Sequence, residues 1–99
     1  MRTDVIESKT SVLPLQITFK PKARYTDIAR QNGTEGVVRL KVELLGNGSV
    51  GIITVISGLP DGLTEMAVEA ARKIEFEPKR IDGVPSVSVV TIDYSFDLY

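Results

Sequence analysis

The chain has 99 residues, of which 42% are hydrophobic, and this is enough for the core of one domain. Twelve basic and thirteen acidic residues leave a net charge of −1, which gives no long-range attraction to nucleic acid or to an anionic membrane. Because the chain contains no cysteine and no histidine, disulfides, thiolate chemistry, histidine metal sites and histidine-dependent triads are excluded.

The N-terminal end of the chain is polar and unpatterned. No apolar run anywhere approaches the roughly 18–20 residues of a membrane-spanning helix, and Met1–Thr10 lacks the apolar segment of a signal peptide. We predict that residues 1–14 are a flexible lead-in or linker remnant and that residues 15–99 form the domain. Any anchor or export signal is expected to lie upstream of this sequence.

A short strand and a short helix are predicted to open the domain. In Leu15–Phe19 apolar and polar residues alternate between two prolines, which is typical of a half-buried edge strand. Thr26 is a plausible N-cap for a two-turn helix, and Gly33 supplies the residue that commonly ends one. Four basic residues in this region are predicted to form a solvated face, because no aromatic residues are interleaved for base stacking: Lys20, Lys22, Arg24 and Arg30.

A hairpin is predicted next. Apolar and charged residues alternate strictly over Val38–Leu44, which indicates a strand with one buried face. The dipeptide Asn47-Gly48 favours a type I′ turn, with Ser49–Ile56 as the returning strand. The alternation in that strand slips by one residue, which predicts a β-bulge near Gly51–Ile53.

The longest predicted helix follows Pro60, with Asp61 or Thr64 as its N-cap. Acidic residues come early and basic residues late in this segment, as the helix dipole favours. Its apolar residues fall on a single stripe, and they are Leu63, Met66, Ala67, Ala70, Ala71 and Ile74.

The last predicted strand follows a turn at Ile81–Gly83 and runs over Val87–Leu98. Its even-numbered residues from Val90 onward are apolar and should face the core, whereas Val87 and Val89 should be exposed. If this strand pairs with the central one, it lies at an edge of the sheet. The order of elements predicts an α+β fold, a two-layer sandwich of a mainly antiparallel three-stranded sheet, plus a short N-terminal strand, with two helices on one face.

Taken in order over roughly residues 20–99, these elements resemble the C-terminal domain of TonB-type energy transducers. Two positions depart from that family's pattern: Thr26 stands where proline is common, and Ile74 where tryptophan is frequent. The motifs that carry the resemblance are Pro21-x-x-x-Tyr25, Ala29, Gly36-x-Val38-x-Leu40-x-Val42, Asn47-Gly48-Ser49-Val50, Val55-Ile56-Ser57-Gly58, Ala67, Ala70, Ala71, Phe76-x-Pro78, Gly83-Val84-Pro85 and Phe96-Asp97-Leu98.

The resemblance implies a non-catalytic domain of the periplasm, the soluble part of an inner-membrane-anchored protein, with no cofactor and no metal. Such domains grip the TonB box, a short extended segment of outer-membrane receptors, by strand addition to their last strand. The resemblance also implies ExbB and ExbD as partners through upstream regions. The predicted partner-binding residues are Ser86, Val87, Ser88, Val89, Val90, Thr91, Ile92, Asp93 and Tyr94.

Several alternatives stay open at this point. The chain could be a TonB-like module that self-associates, including as a strand-swapped homodimer, or a scaffold without receptor binding. The strand Leu15–Phe19 could itself occupy the free edge, in cis or from a second copy, and Val87 and Val89 could be an edge pair with no partner. An enzyme is disfavoured, since the carboxylates are spread along predicted exposed faces and only Arg24 or Arg30 suggests a phosphate site.

Overall fold

The computed structural model describes residues 11–98. Within these residues the elements, in chain order, are β1 (Val12–Leu13), β2 (Gln16–Phe19), α1 (Asp27–Asn32), β3 (Gly36–Leu44), β4 (Val50–Ser57), α2 (Leu63–Arg72), β5 (Glu75–Glu77), β6 (Lys79–Ile81), β7 (Val84–Ser86) and β8 (Ser88–Phe96). Neither helix in this part of the chain has the length and apolar character needed to cross a membrane.

The largest sheet has the strand order β4–β3–β8 and is antiparallel throughout. Its central strand β3 pairs with β8 without a register shift, from Gly36 opposite Phe96 to Leu44 opposite Ser88. The predicted edge position of the last strand is therefore confirmed.

Both helices contribute to one core on a single face of this sheet, so the predicted α+β architecture is confirmed. The even-numbered residues of β3 from Val38 to Leu44 are buried because period-two alternation sends them to the helix side. Ala67, Ala70 and Ala71 are also buried, and their small side chains let α2 lie close to the sheet. Burying a single Leu, Val or Phe side chain contributes about 1.5–3 kcal/mol. The buried core comprises Ala29, Val38, Leu40, Val42, Leu44, Leu63, Ala67, Ala70, Ala71, Ile74, Phe76, Ile92, Tyr94 and Phe96.

The hairpin between β3 and β4 has a longer turn than predicted. Leu45 N donates to Ser49 O at 2.9 Å, which leaves three residues in the loop. Gly48 has a φ of 91°, but Asn47 is not among the residues with positive φ, so the expectation of a type I′ turn is wrong. The Asn47 side chain instead accepts a hydrogen bond from Ser49 N at 3.0 Å. This local bond favours a three-residue loop with glycine at its positive-φ position.

Neither predicted residue caps α2. The N-cap is Gly62, which makes no side-chain cap bond. The Thr64 hydroxyl is bonded to the backbone of Leu59. Asp61 adopts a φ of 64°, and its carboxylate accepts from the Thr34 hydroxyl at 2.6 Å. The side chain of Asp61 therefore ties the start of α2 to the end of α1. The predicted caps of α1 are confirmed, with Thr26 at its start and Gly33 at its end.

The N-terminal strands are paired with the segment after α2. β1 pairs with β6 and β2 with β5, both antiparallel, and β6 and β7 form a second hairpin. The idea that Leu15–Phe19 occupies the β8 edge in cis is therefore wrong, because these residues supply the ladder that Glu75–Glu77 needs. Of the predicted lead-in, residues 1–10 lie outside the described part of the chain, and Val12–Leu13 form β1.

Candidate functional site

The outer edge of β8, which pairs with no strand among residues 11–98, is the candidate site. Leu45 N donates to Ser49 O, so the odd-numbered residues of the regular strand β3 direct their backbone groups toward β4. Its even-numbered residues must then bond to β8, where they stand opposite even-numbered residues such as Ile92. The odd-numbered residues Val89, Thr91 and Asp93 consequently turn their N–H and C=O groups away from the sheet.

An independent contact supports this assignment. The Lys20 ammonium donates to the backbone carbonyl of Asp93 at 2.7 Å, so this carbonyl points outward from β8. Within a strand the N–H and C=O of one residue point to the same side. The outward backbone groups of β8 therefore form a template for an added strand.

The nine predicted binding residues fall into four groups. Val89, Thr91 and Asp93 are exposed on the sheet face opposite the helices, with Val89 57% exposed. Ser88, Val90, Ile92 and Tyr94 bond to β3, and the last two are buried in the core. Val87 precedes β8 and is 52% exposed, as predicted. Ser86 belongs to β7, where it stands opposite Lys79.

A bidentate ion pair lies on the open face beside the edge. Arg39 on β3 donates from Nε and from Nη2 to the Asp93 carboxylate, at 2.8 and 3.0 Å. These hydrogen bonds from Arg39 hold the pKa of Asp93 below its ordinary value, and the nearby charge of Lys20 acts in the same direction. Arg39 and Asp93 are directly opposite in the ladder, so the pair fixes the side chain of the edge strand.

The segment from Lys20 to Ala23 flanks the half of the β8 edge that contains Asp93 and Tyr94. Together with Asp93, Tyr94, Ser95 and Asp97 it lines an open depression of ≈ 410 Å³. The Lys20 ammonium also lies 4.6 Å from the centre of the Tyr94 ring, within the range of a cation–π interaction. Ser88, Val89 and Val90 do not line this depression, whereas Thr91 lines a second one with Ile17 and Lys20. Sequence reasoning missed the contact, since a lysine side chain bonded to a distant strand has no local signature.

The opposite edge of the sheet is less regular. The register between β3 and β4 shifts twice, once between Arg39 and Leu40 and once between Val42 and Leu44. The second shift confirms the bulge predicted near Gly51–Ile53. Bulges bend a strand and interrupt its row of backbone groups. Of the two edges of this sheet, β8 is therefore the better template for strand addition.

The arrangement suits binding and not bond-making chemistry. Among residues 11–98 no group of three or more acidic side chains could hold a metal ion. Arg30, one of the two arginines considered for a phosphate site, lies over the Tyr25 ring at 5.7 Å. Arg24 lines a small depression beside α2 with Met66 and Glu69. The candidate phosphate residues are thus placed apart from the β8 edge.

Comparison with known proteins agrees with the sequence resemblance. The family model described as the C-terminal region of the Gram-negative bacterial TonB protein matches residues 21–98. Protein TonB of Vibrio cholerae serotype O1 is 30% identical over 86 residues, which cover 86% of this chain and 35% of that protein. The chain therefore spans about a third of the length of this curated relative.

Two solved structures share the fold. The solution NMR structure of the Pseudomonas aeruginosa TonB CTD matches with a TM-score of 0.68 at 22% identity, covering 85% of this chain and 86% of that one. At this identity the likeness concerns the fold alone. The NMR structure of the Helicobacter pylori TonB-CTD matches with a TM-score of 0.60 at 26% identity, covering 78% of this chain and 70% of that one.

Proposed function

This chain belongs to the TonB C-terminal domain family, which is not a family of enzymes, and on that premise we propose that it grips an extended receptor peptide by strand addition to β8. The peptide is the TonB box of an outer-membrane receptor. It would form hydrogen bonds with the outward backbone groups of Val89, Thr91 and Asp93.

The regular edge of β8, with which no other described strand pairs, is the observation that carries this proposal. β8 keeps one register with β3 over its whole length, so its outward groups recur at every second residue. Backbone bonding tolerates varied peptide side chains, while the exposed Val89 supplies an apolar contact on the open face. A strand pulled along its length would share the load among several hydrogen bonds, which suits a domain that transmits force.

The wider setting is part of the same proposal. The domain would work in the periplasm as part of an inner-membrane-anchored energy transducer. ExbB and ExbD would act through regions of the protein other than this domain. The chain's similarity to protein TonB of Vibrio cholerae supports this setting.

The test is an NMR titration of the labelled protein with extended peptides from receptor N-termini. We expect the amide shifts to concentrate between Val87 and Tyr94, and a scrambled peptide of the same composition to produce none. Shifts concentrated on Val50–Ser57 would instead assign binding to the other edge of the sheet and would contradict the proposal.

The alternative function is self-association or a scaffold role without receptor binding. Exposed apolar residues on the N-terminal strands favour it, among them Leu13 at 57% and Phe19 at 51% exposure. Sedimentation over a concentration series separates the two functions. A protein that binds no receptor peptide but dimerises through these strands would support the alternative.

A further inference from the structure

Lys20 occupies a position on β8 that an added strand would need. Its ammonium bonds to the outward carbonyl of Asp93 at 2.7 Å, and it also lies over the Tyr94 ring. Among the described residues no side chain hydrogen-bonds to the backbone of Val89 or Thr91, which precede Asp93 on the same edge, although Ile17 and Lys20 line a depression together with Thr91. Within residues 11–98, the hydrogen bond to this edge from outside the sheet is therefore made by a single side chain.

The backbone around Lys20 holds the side chain in this place. On its N-terminal side, β2 pairs with β5, which fixes Phe19 opposite Glu75. On its C-terminal side, Pro21 restricts the backbone, and Tyr25 packs edge-on against Phe96 with ring centres 5.5 Å apart. Lys20 thus extends from a segment that is anchored at both ends.

We propose that Lys20 is a latch on the binding edge: an incoming peptide must displace its ammonium from the Asp93 carbonyl before the strand can pair along the whole of β8. This inference rests on the proposed function, and it adds that the affinity is set partly by a residue outside the sheet. Pairing would begin at Val89 and Thr91, to whose backbone no described side chain bonds, and then extend to Asp93.

The latch differs from blockage by a strand. β2 is paired with β5 and not with β8, so release of the edge would need no change in this ladder. Only the Lys20 side chain moves, and it is exposed to solvent before and after release. Peptide binding therefore breaks the hydrogen bond between the Lys20 ammonium and the Asp93 carbonyl. Water then hydrates the released ammonium, which offsets part of the free energy lost with that bond.

The experiment compares Lys20→Met with Lys22→Met in the whole chain. Methionine keeps the length of the side chain but cannot donate a hydrogen bond. Lys22 lines the same depression as Lys20 and has the same charge, but within the described residues it donates no bond to β8. Affinities are measured by titration calorimetry with one peptide from a receptor N-terminus, and the amide shifts of the wild type and of each variant are recorded with the same peptide.

We expect K20M to bind that peptide roughly three- to tenfold more tightly, because one charge-assisted hydrogen bond no longer competes. K22M should bind as the wild type does. In the free protein, K20M should also shift the carbonyl carbon resonance of Asp93, and K22M should not.

Three outcomes would overturn the latch. Unchanged affinity of K20M means that the bond is too weak to compete, and weaker affinity means that Lys20 helps to hold the peptide. Peptide binding that leaves the β8 amides unshifted in both the wild type and K20M refutes the proposed function, and the latch with it. Because the first two outcomes keep the β8 shifts, they leave the proposed function intact.

Discussion

Thr91→Pro is the most direct test of which backbone groups bind the peptide. Thr91 lies between Val89 and Asp93 at the middle of the outward row, and its N–H faces away from β3. Proline removes that donor and places its ring in the path of the incoming strand. The ladder with β3 is kept, because Thr91 takes no part in its hydrogen bonds.

The expected loss follows from the number of contacts affected. One backbone hydrogen bond contributes about 0.5–1.5 kcal/mol net, and the proline ring also displaces the peptide from its neighbours on either side. We therefore expect a loss of about 1.5–3 kcal/mol, which is a ten- to hundredfold weaker affinity. The assay is calorimetric titration with a receptor peptide, with thermal unfolding to check the fold.

Two proline variants serve as controls. Val55 stands opposite Leu40 on β4, so its N–H faces the other edge, and Val55→Pro should leave peptide affinity unchanged. Val90 bonds to β3 opposite Val42, and Val90→Pro should destabilise the fold instead. If V55P weakens binding more than T91P does, the peptide uses β4. If V90P is as stable as T91P, the assignment of outward residues is wrong.

Three further predictions concern stability. Asp61→Ala should lower the free energy of unfolding by about 2–4 kcal/mol, because it removes the acceptor of the Thr34 hydroxyl and leaves alanine at positive φ. Asp61→Asn should lower it by about 1 kcal/mol. Equal midpoints of urea unfolding for the two variants would refute this reasoning. Tyr94→Phe should be neutral or stabilising by up to about 1 kcal/mol, since the buried hydroxyl has no partner among residues 11–98; a clear loss of stability would show that it has one. Because Arg39 lowers the pKa of Asp93 in the folded state, the contribution of the pair is present above the ordinary carboxyl pKa of about 3.9 and is lost as the pH falls through the folded pKa. Asp93→Asn should therefore reduce the fall in melting temperature between pH 7 and pH 3. If the melting temperature of the variant falls as much as that of the wild type, other carboxylates are responsible for the loss.

The long elements could be predicted because their sequence repeats are long enough to be distinctive. Seven residues of β3, from Val38 to Leu44, alternate without a break, and the alternation requires one buried and one wet face. The stripe of α2 is similarly clear. The three-residue strands β5 to β7 could not be predicted, since they are shorter than any repeat and lie in a segment that contains two prolines.

Local hydrogen bonds decided the details that sequence reasoning missed. Asp61 is a good capping residue by type, but the hydroxyl of Thr34 offers its carboxylate a better partner. Asn47 tolerates positive φ, but the bond from its side chain to Ser49 stabilises a different turn. In each case the residue type was compatible with two structures, and a neighbour selected one of them.

The same limit explains why the binding edge was only partly predictable. Alternation in β8 identifies Val89, Thr91 and Asp93 as residues whose side chains face solvent, but their outward backbone groups are known only once β3 is placed beside them.

The contact from Lys20 has a second consequence, which concerns the pairing of two copies of the protein. A long, unpaired edge can pair with the edge of another copy, and proteins often prevent this with a lysine at the edge. A peptide-binding domain must prevent such pairing and still accept its ligand. A flexible ammonium bonded to one carbonyl meets both needs, since it obstructs the edge at low cost and leaves when a matching strand arrives. It follows that the gain in peptide affinity expected for K20M should come with a greater tendency of the protein to self-associate.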